Sequence, residues 1–451
     1  MQSPTDFKSK KVLVMGLGLH GGGAGAARFF TKARAKVTVT DLKTKKELAP
    51  SLAELKKLKK ITYHLGGHRA SDFKNADFVI KNPGVPESSN FVTIAECAGV
   101  PVLSDVEIFF KLCPAKIIGV TGTKGKSTAA WLISQFLKSA GKRVIVGGNI
   151  RKSVLDLVDA AKKSDWVVLE LSSFQLDSLA KSRLSPEVAL ITNIFPDHLN
   201  RYPNFRAYAD SKTNIFKHQK KNDWLFFSAD DKLTSRLAKK APSKVLPFAA
   251  SKTIGPFIKF IANSLPDYQR SNIAAAIAVA KHIGVGDRVI KKTLRQFTGL
   301  KGRMEVVGKV RGIEFINDTT ATNPEAAEKA VVFTKKQIGR GSLHIIAGGS
   351  DKSLPLAGFV AALKKHAATV IFLPGGSTEK MKAGLGKSDR PKIVEVKTMR
   401  QAVRSAFTAA KKGDAVLLSP GAASFGLFKH EFDRGEKFVQ EVRRLPANGK
   451  R

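Results

Sequence analysis

Residues 119–131 of this 451-residue chain read GVTGTKGKSTAAW, a glycine-lysine-serine-threonine run between an apolar stretch and a helical pattern. These types at this spacing suit polyphosphate. Glycines let backbone amides approach the oxygens, Lys126 can neutralise them, and Ser127 or Thr128 can offer a hydroxyl to Mg²⁺. Val120 stands where the general phosphate-loop template has glycine, and Lys124 is a second lysine within the loop. A second glycine loop opens the chain. In VLVMGLGLHGGGAGAARFF, Gly16, Gly18 and Gly21 have G-x-G-x-x-G spacing, and Asp41 closes the next apolar stretch. A carboxylate there can reach a ribose hydroxyl, while the glycines and a helix N-terminus favour a pyrophosphate. The pattern serves a nicotinamide dinucleotide and a diphosphate-sugar nucleotide equally well.

Three stretches downstream carry further groups of this kind. WVVLELSSFQLD ends a buried strand at Glu170, followed by Ser172, Ser173 and Gln175. ITNIFPDHLNRYPNFRAYADSKTNIF ends another strand at Asn193, then supplies Asp197, His198 and, on the next helix, Lys212. GRMEVVGKVRGIEFINDTTATNPEA supplies Arg303 and, after the strand GIEFIN, Asp318. Taken singly, each has an ordinary structural reading: Glu170 as a helix cap, His198 as a core histidine, Lys212 as a surface lysine, since lysines are mostly exposed.

The elements that must position these groups alternate between short β-rich apolar runs and helical patterns, the signature of parallel α/β sheets. The clearest strands are KVLVMG, KVTVTD, DFVIKN, KIIGVTG, WVVLEL, VALITNI, HIIAGG, TVIFLPGG and AVLLSPG. Most run straight into a glycine-rich or polar loop, and open α/β sheets bind ligands at the carboxyl ends of their strands. Soft boundaries near LCPAK (112–116) and GLKGR (299–303) divide the chain into three α/β domains, residues 1–107, 108–299 and 300–451.

Composition narrows the function classes. A hydrophobic share of 43% is that of an ordinary globular protein, and no apolar run approaches the roughly 18 residues of a membrane span. The start, MQSPTDFKSKK, lacks the apolar stretch of a secretory signal, so a cytoplasmic protein without membrane attachment is expected. Cys97 and Cys113 are the only cysteines, which excludes a disulfide framework and cysteine-rich metal sites, and both are expected to be buried thiols. The formal charge of +40 attracts polyanions, yet the basic residues are spread along the whole chain with no long tract. Any nucleic-acid binding is therefore expected to be nonspecific and salt-sensitive, because no base-reading module is present. The chain is expected to be a monomer.

Together these stretches resemble the Mur ligase family, ATP-dependent enzymes that join amino acids to a growing peptidoglycan precursor. The family loop resembles T-G-T-x-G-K-S-T, which accounts for Val120 while Gly122 is kept. ELSSFQLD, GLGLHGGG, INDTTATNPEA and LLSPGAASFGLFKHEFDRGEKF spread the resemblance over all three domains. Their pattern is most similar to the branch that adds D-glutamate to UDP-N-acetylmuramoyl-L-alanine. The resemblance implies a Rossmann-like N-terminal domain, a central P-loop ATPase-type parallel sheet and a C-terminal Rossmann-like α/β domain. It also implies that ATP converts a substrate carboxylate to an acyl phosphate, which an amine then attacks.

Carried over position by position, the resemblance implies ATP contacts from Gly122, Thr123, Gly125, Lys126, Ser127, Thr128, Asn272, Arg303 and Asp318. Ser127 and Glu170 would ligate one Mg²⁺, and His198 a second. Lys212 aligns with the lysine that the family carbamylates, which gives oxygen ligands where an ammonium has none; Lys126, Glu170, His198 and Lys212 are the implied catalytic set. Gly18, Leu19, His20, Asp41, Lys43, Asn82, Gly84, Asn149 and Gln175 would contact the UDP-linked substrate. Thr322, Lys352, Ser424 and Phe428 would hold the incoming D-glutamate, whose two carboxylates need cation and hydroxyl partners. The pattern also departs from the family: Thr320 stands in place of a lysine, Gly302 in place of a histidine before the arginine, and Arg151 in place of a glycine.

Overall fold

A computed structural model describes residues 3–19, 21–58, 60–148, 153–199, 201–261, 266–386 and 390–446. His20 and Asn149, both expected to meet the UDP-linked substrate, lie outside the described residues, as does Arg151. The described residues are α/β and carry three sheets. By contact density it forms two compact units. One comprises Met1–Phe195, Arg206–Ile258 and Tyr268–Thr293; the other comprises Pro196–Phe205, Lys259–Asp267 and Leu294–Arg451.

The first unit holds two wholly parallel sheets. The N-terminal one contains β1 (Lys11–Met15), β2 (Lys36–Asp41), β3 (Ile61–Leu65), β4 (Phe78–Lys81) and β5 (Val102–Leu103), in the order β3-β2-β1-β4-β5. The central one contains β6 (Lys116–Thr121), β7 (Val144–Gly148), β8 (Trp166–Glu170), β9 (Val188–Ile191), β10 (Trp224–Ser228) and β11 (Lys244–Phe248), in the order β11-β10-β9-β6-β8-β7. The inner strands of the central sheet are apolar on both faces: Ile118 and Val120 of β6, Val167, Val168 and Leu169 of β8, and Leu190 and Ile191 of β9 are fully buried. Helices cover both faces of such a sheet, so alternation with polar residues disappears, and each buried aliphatic side chain contributes about 1.5–3 kcal/mol. The two sheets are tied by Arg28, whose Nη1 donates to both carboxylate oxygens of Asp156 at 2.8 and 2.9 Å, and by Ser153, whose Oγ donates to Asp105 Oδ2 at 3.0 Å.

The second unit holds a mixed sheet of β12 (Glu305–Val310), β13 (Ile313–Asn317), β14 (Leu343–Ala347), β15 (Thr369–Phe372), β16 (Lys392–Glu395) and β17 (Ala415–Leu418), in the order β12-β13-β17-β14-β15-β16. Only β12 is antiparallel, paired to β13 as a hairpin with a register shift between Val306 and Gly308. Its core gathers Phe315, Ile346, Ile371, Val416, Leu418 and Phe438.

In each sheet the strand order reverses beside a candidate loop. The reversal lies between β1 and β4 in the first sheet, between β6 and β9 in the second, and between β14 and β17 in the third. Loops leaving adjacent strands diverge there to opposite faces and leave a crevice beyond the carboxyl ends.

Three expectations are corrected. Asn193 does not end a strand, because β9 stops at Ile191 and the chain turns into a loop. The helical pattern expected after the Gly-Lys-Ser-Thr run starts inside it, at Lys126, so Lys126 and Ser127 sit in the first turn, where amides lack intrahelical partners. Cys97 is exposed and Cys113 is half-buried. The helix Asn90–Cys97 buries Val92 and Ala95, and two residues beyond Ala95 is about 200° round the helix, on its outer side. Among the described residues no helix is long and apolar enough to cross a membrane.

Candidate active site

At the first reversal point, the carboxylate of Asp41 is used by the backbone around it. Its Oδ2 accepts from Gly18 N at 3.0 Å and its Oδ1 from Lys43 N at 2.9 Å, so the end of β2 fixes the glycine loop after β1. Asn82, following β4, donates through Nδ2 to Gly16 O at 3.2 Å and accepts from Gly84 N at 3.0 Å, which closes the far side. Between them lies a cavity of about 530 Å³ whose lining includes Gly16, Asp41, Leu42, Lys43, Gly84 and Phe91. Leu19 is partly exposed. The sequence reading missed His68, which also lines the cavity. Thr40 Oγ1 bonds its Nδ1 at 2.7 Å and the ring packs edge-on against Phe73 and Phe91. Burial holds the His68 imidazole below its ordinary value, with Asp41 and Asp72 opposing the shift. Its only sequence signal is a histidine in a short Gly-Gly-His run after β3.

The loop after β6 is gripped from two sides. A Cβ on Gly125, whose φ is +86°, would stand 1.9 Å from Asn272 Oδ1, and one on Gly122, whose φ is +147°, would stand 2.0 Å from Thr192 Oγ1. Only glycine accommodates both the left-handed backbone and the approach. Lys126 Nζ donates to Gly122 O at 2.9 Å and to Thr123 O at 3.1 Å. Lys212 Nζ donates to the same Gly122 carbonyl at 3.0 Å and lies 4.8 Å from the centre of the Tyr208 ring. Lys212 is 2% exposed because Tyr208, Ser211, Lys212 and Ile215 form the inner face of the helix Phe205–Lys217. Its surroundings therefore set aside the surface-lysine reading. Two ammonium groups on one carbonyl, one of them buried, concentrate positive potential on the loop and favour an anion. Tyr208 OH also meets Thr123 Oγ1 at 3.1 Å.

Glu170, at the end of β8, is 4% exposed and its Oε2 accepts from Ser127 Oγ at 2.5 Å. The pair brings two hard oxygen donors together beside the first turn of the loop helix, the donor chemistry Mg²⁺ prefers. Glu170 caps no helix, since the following helix, Ser173–Lys181, is capped by Ser172. Gln175 completes that cap, its Oε1 accepting from Ser172 N at 3.0 Å, and so does structural work at the position expected to meet substrate. Thr128 is buried in the same loop helix.

The remaining expected residues belong to the second unit. His198 has a left-handed φ of +54°, and its carbonyl accepts from Arg201 N and Tyr202 N. A non-glycine residue held there stores of order 1–3 kcal/mol, a strain that clusters at functional sites. Asp318, just past β13, accepts from Met304 N at 3.2 Å and from Ser419 Oγ at 3.1 Å, which ties it to the turn containing Arg303. Thr320 N donates to Gly302 O at 3.1 Å, so two of the departures from the family pattern are neighbours. Thr322 and Lys352 line one crevice with Ser350, Gly421 and Ala422. Ser424 is buried two residues on from Ala422. Phe428, expected to touch the acceptor, lies in the apolar core of the third sheet, whereas Phe425 is the exposed aromatic of that loop. The sequence reading also missed Arg434, which is fully buried. Its Nε and Nη2 donate to Thr319 Oγ1 and Thr319 O at 3.2 and 2.8 Å, and its Nη1 donates to Ala422 O at 3.1 Å.

Family models match most of the chain: a Mur ligase MurD-like N-terminal domain over residues 10–104, a Mur ligase middle domain over 120–266, and a Mur ligase glutamate ligase domain over 302–421. The chain is 37% identical to the UDP-N-acetylmuramoylalanine–D-glutamate ligase of Roseiflexus sp. (strain RS-1), over 96% of this chain and 98% of that one. It is 34% identical to the ligase of the same name from Caldanaerobacter subterraneus, over 97% and 99%. Among solved structures, UDP-N-acetylmuramate-alanine ligase from Thermotoga maritima superposes with a TM-score of 0.63 at 18% identity, covering 96% of this chain and 99% of that one. FolC of E. coli in complex with ADP gives 0.58 at 18%, over 76% and 93%. At that identity the two structures speak for the fold alone.

Proposed function

The chain belongs to the Mur ligase family, and we propose that within it this protein joins D-glutamate to UDP-N-acetylmuramoyl-L-alanine, using ATP. The observation that carries the chemistry is Lys126 held on the Gly122 and Thr123 carbonyls of a loop whose Ser127 hydroxyl bonds Glu170. A carboxylate is a poor electrophile at neutral pH. Transfer of the γ-phosphoryl group forms an O–P bond to the substrate carboxylate, breaks the bond to the β-phosphate and releases ADP. The acceptor amine then adds to the acyl carbon, the nitrogen gives up its proton, and the C–O bond breaks as phosphate leaves. The site must hold two anions together, and fixed positive charge in a preorganised loop counters their repulsion.

In this reading residues 122–128 cradle the phosphates, with Lys126 on the β- and γ-oxygens and Asn272, Arg303 and Asp318 on the remainder of ATP. Ser127 and Glu170 would hold one Mg²⁺ and His198 would help hold a second; carbamylation of Lys212 would replace its positive charge with oxygen ligands, so that Lys126 and the bound ions would supply charge neutralisation on the phosphates. Gly18, Leu19, Asp41, Lys43, Asn82 and Gly84 hold the UDP moiety, supported by the cavity that Asp41, Lys43 and Gly84 line. Thr322, Lys352 and Ser424 hold the acceptor. The domain division at residues 1–107, 108–299 and 300–451 belongs to the same reading, supported by one matched family segment inside each. So do a cytoplasmic location and a monomeric state. The test is phosphate release by the purified protein with ATP, Mg²⁺ and UDP-N-acetylmuramoyl-L-alanine. D-glutamate should support release and other amino acids should not; no release with D-glutamate ends the proposal. Release with another amino acid alone moves the protein to a different branch, with Thr320 the first residue to examine.

A further inference from the structure

We propose that Asn193 is a positioning residue for the phosphate loop, acting by clasping the peptide groups of Lys124. Asn193 lies two residues past the end of β9. Its Oδ1 accepts from Lys124 N at 2.9 Å and its Nδ2 donates to Lys124 O at 2.9 Å, so one planar carboxamide takes both backbone groups of a single loop residue. Thr192 adds a donor to the same carbonyl, Oγ1 to Lys124 O at 2.7 Å, and Thr123 N donates to Asn193 O at 2.9 Å. The glycine at 122 lets the loop lie directly on this pair, since a Cβ there would meet Thr192 Oγ1 and Asn193 O at 2.0 and 3.1 Å.

The physical reason follows from what the loop must present. A loop that binds phosphate presents only some of its amides to the anion; the remaining peptide groups, here the N–H of Thr123 and both groups of Lys124, must be held and satisfied elsewhere, because a carbonyl aimed at phosphate repels it. Asparagine has one donor and one acceptor in the plane required; aspartate lacks the donor and leucine lacks both. The inference explains why the loop tolerates a residue as ordinary as Lys124 at its apex: the main chain of that residue is what the structure holds.

This inference rests on the loop being the ATP site, and the test separates the two. ADP affinity is measured by calorimetry on the full-length protein, with UDP-N-acetylmuramoyl-L-alanine affinity and KM as internal controls. Losing two hydrogen bonds to the loop should weaken ADP binding and raise the KM for ATP about tenfold or more in Asn193→Ala. The UDP-substrate constants should stay within about twofold, since its cavity is built from the other sheet of the unit. Thr192→Val should shift ATP in the same direction by about threefold, and Thr192→Ser, which keeps the hydroxyl, should behave as the parent. Asn193→Asp keeps the shape of the side chain and serves if the alanine variant does not fold; it too should lose ADP affinity. Variants that bind ADP as the parent does, or that lose ADP and UDP-substrate affinity in equal proportion, overturn the inference. A parent protein that binds no ADP overturns the reading of the loop instead.

Discussion

Replacing Arg434 by methionine tests how the third sheet holds its loops. The guanidinium is fully buried and stays charged, burial lowering its pKa only to about 10 while Glu431 and Asp318 oppose the shift. It is one of the ties between the loop after β13 and the loop after β17, through Thr319 O, Thr319 Oγ1 and Ala422 O. Methionine keeps roughly the length and volume, so the cavity cost is small. Thr319 Oγ1 still donates to Glu431 O at 2.5 Å, which leaves its hydroxyl satisfied. Two buried carbonyls lose their donor, at about 1–3 kcal/mol each. Relief of the buried charge returns part of that, giving a net loss of about 2–4 kcal/mol. Against a typical stability of about 5–15 kcal/mol this should be visible in urea unfolding as a lower midpoint with an unchanged slope. Thr319 and Ala422 stand close in sequence to Thr322 and Ser424, so the KM for D-glutamate should rise while that for the UDP-substrate does not. A midpoint unchanged within error, together with an unchanged KM for D-glutamate, would refute the argument.

Gly125→Ala forces a Cβ to within 1.9 Å of Asn272 Oδ1 at a left-handed φ; ADP affinity should fall roughly tenfold or more, and a Gly125→Ala variant with parental affinity would disprove the close packing. Burial lowers the pKa of His68 below its ordinary 6.5, so the unfolded chain takes up this proton first. The stability held by the neutral imidazole is therefore complete above about 6.5 and declines as the pH falls through that value; His68→Gln should flatten the fall in unfolding temperature between about pH 7 and pH 5. A thiol reagent at pH 8 should label one cysteine per native chain. Cys97 is exposed, whereas burial raises the Cys113 thiol to about 11; Cys97→Ser should abolish the labelling, and loss through Cys113→Ser instead would contradict the fold.

Strands that the sequence reading left out are chiefly those where periodicity is weakest. β3, β11, β12 and β16 lie at sheet edges and consist almost wholly of exposed and half-buried positions, and β5 is two residues long. An edge strand is covered on fewer sides, so its composition is freer. Among side chains, Lys126 and Ser127 were legible because a loop and a helix start fix them locally. Tyr208, Thr192 and Arg434 were not, because their roles depend on partners 85, 68 and 115 residues away in the chain.

By itself the sequence determined the α/β class, the two glycine loops and the stretches whose combination marks the family, since these depend on short-range pattern and on glycine's backbone freedom. Tertiary structure alone decided that Lys212 is buried against Gly122 and that Glu170 meets Ser127. It likewise decided that Phe428 belongs to the core, and that the main chain of Lys124 is clasped by an asparagine past the end of β9. A parallel sheet brings the carboxyl ends of strands distant in sequence to one edge, and the contacts made there follow from strand order, which no local pattern specifies.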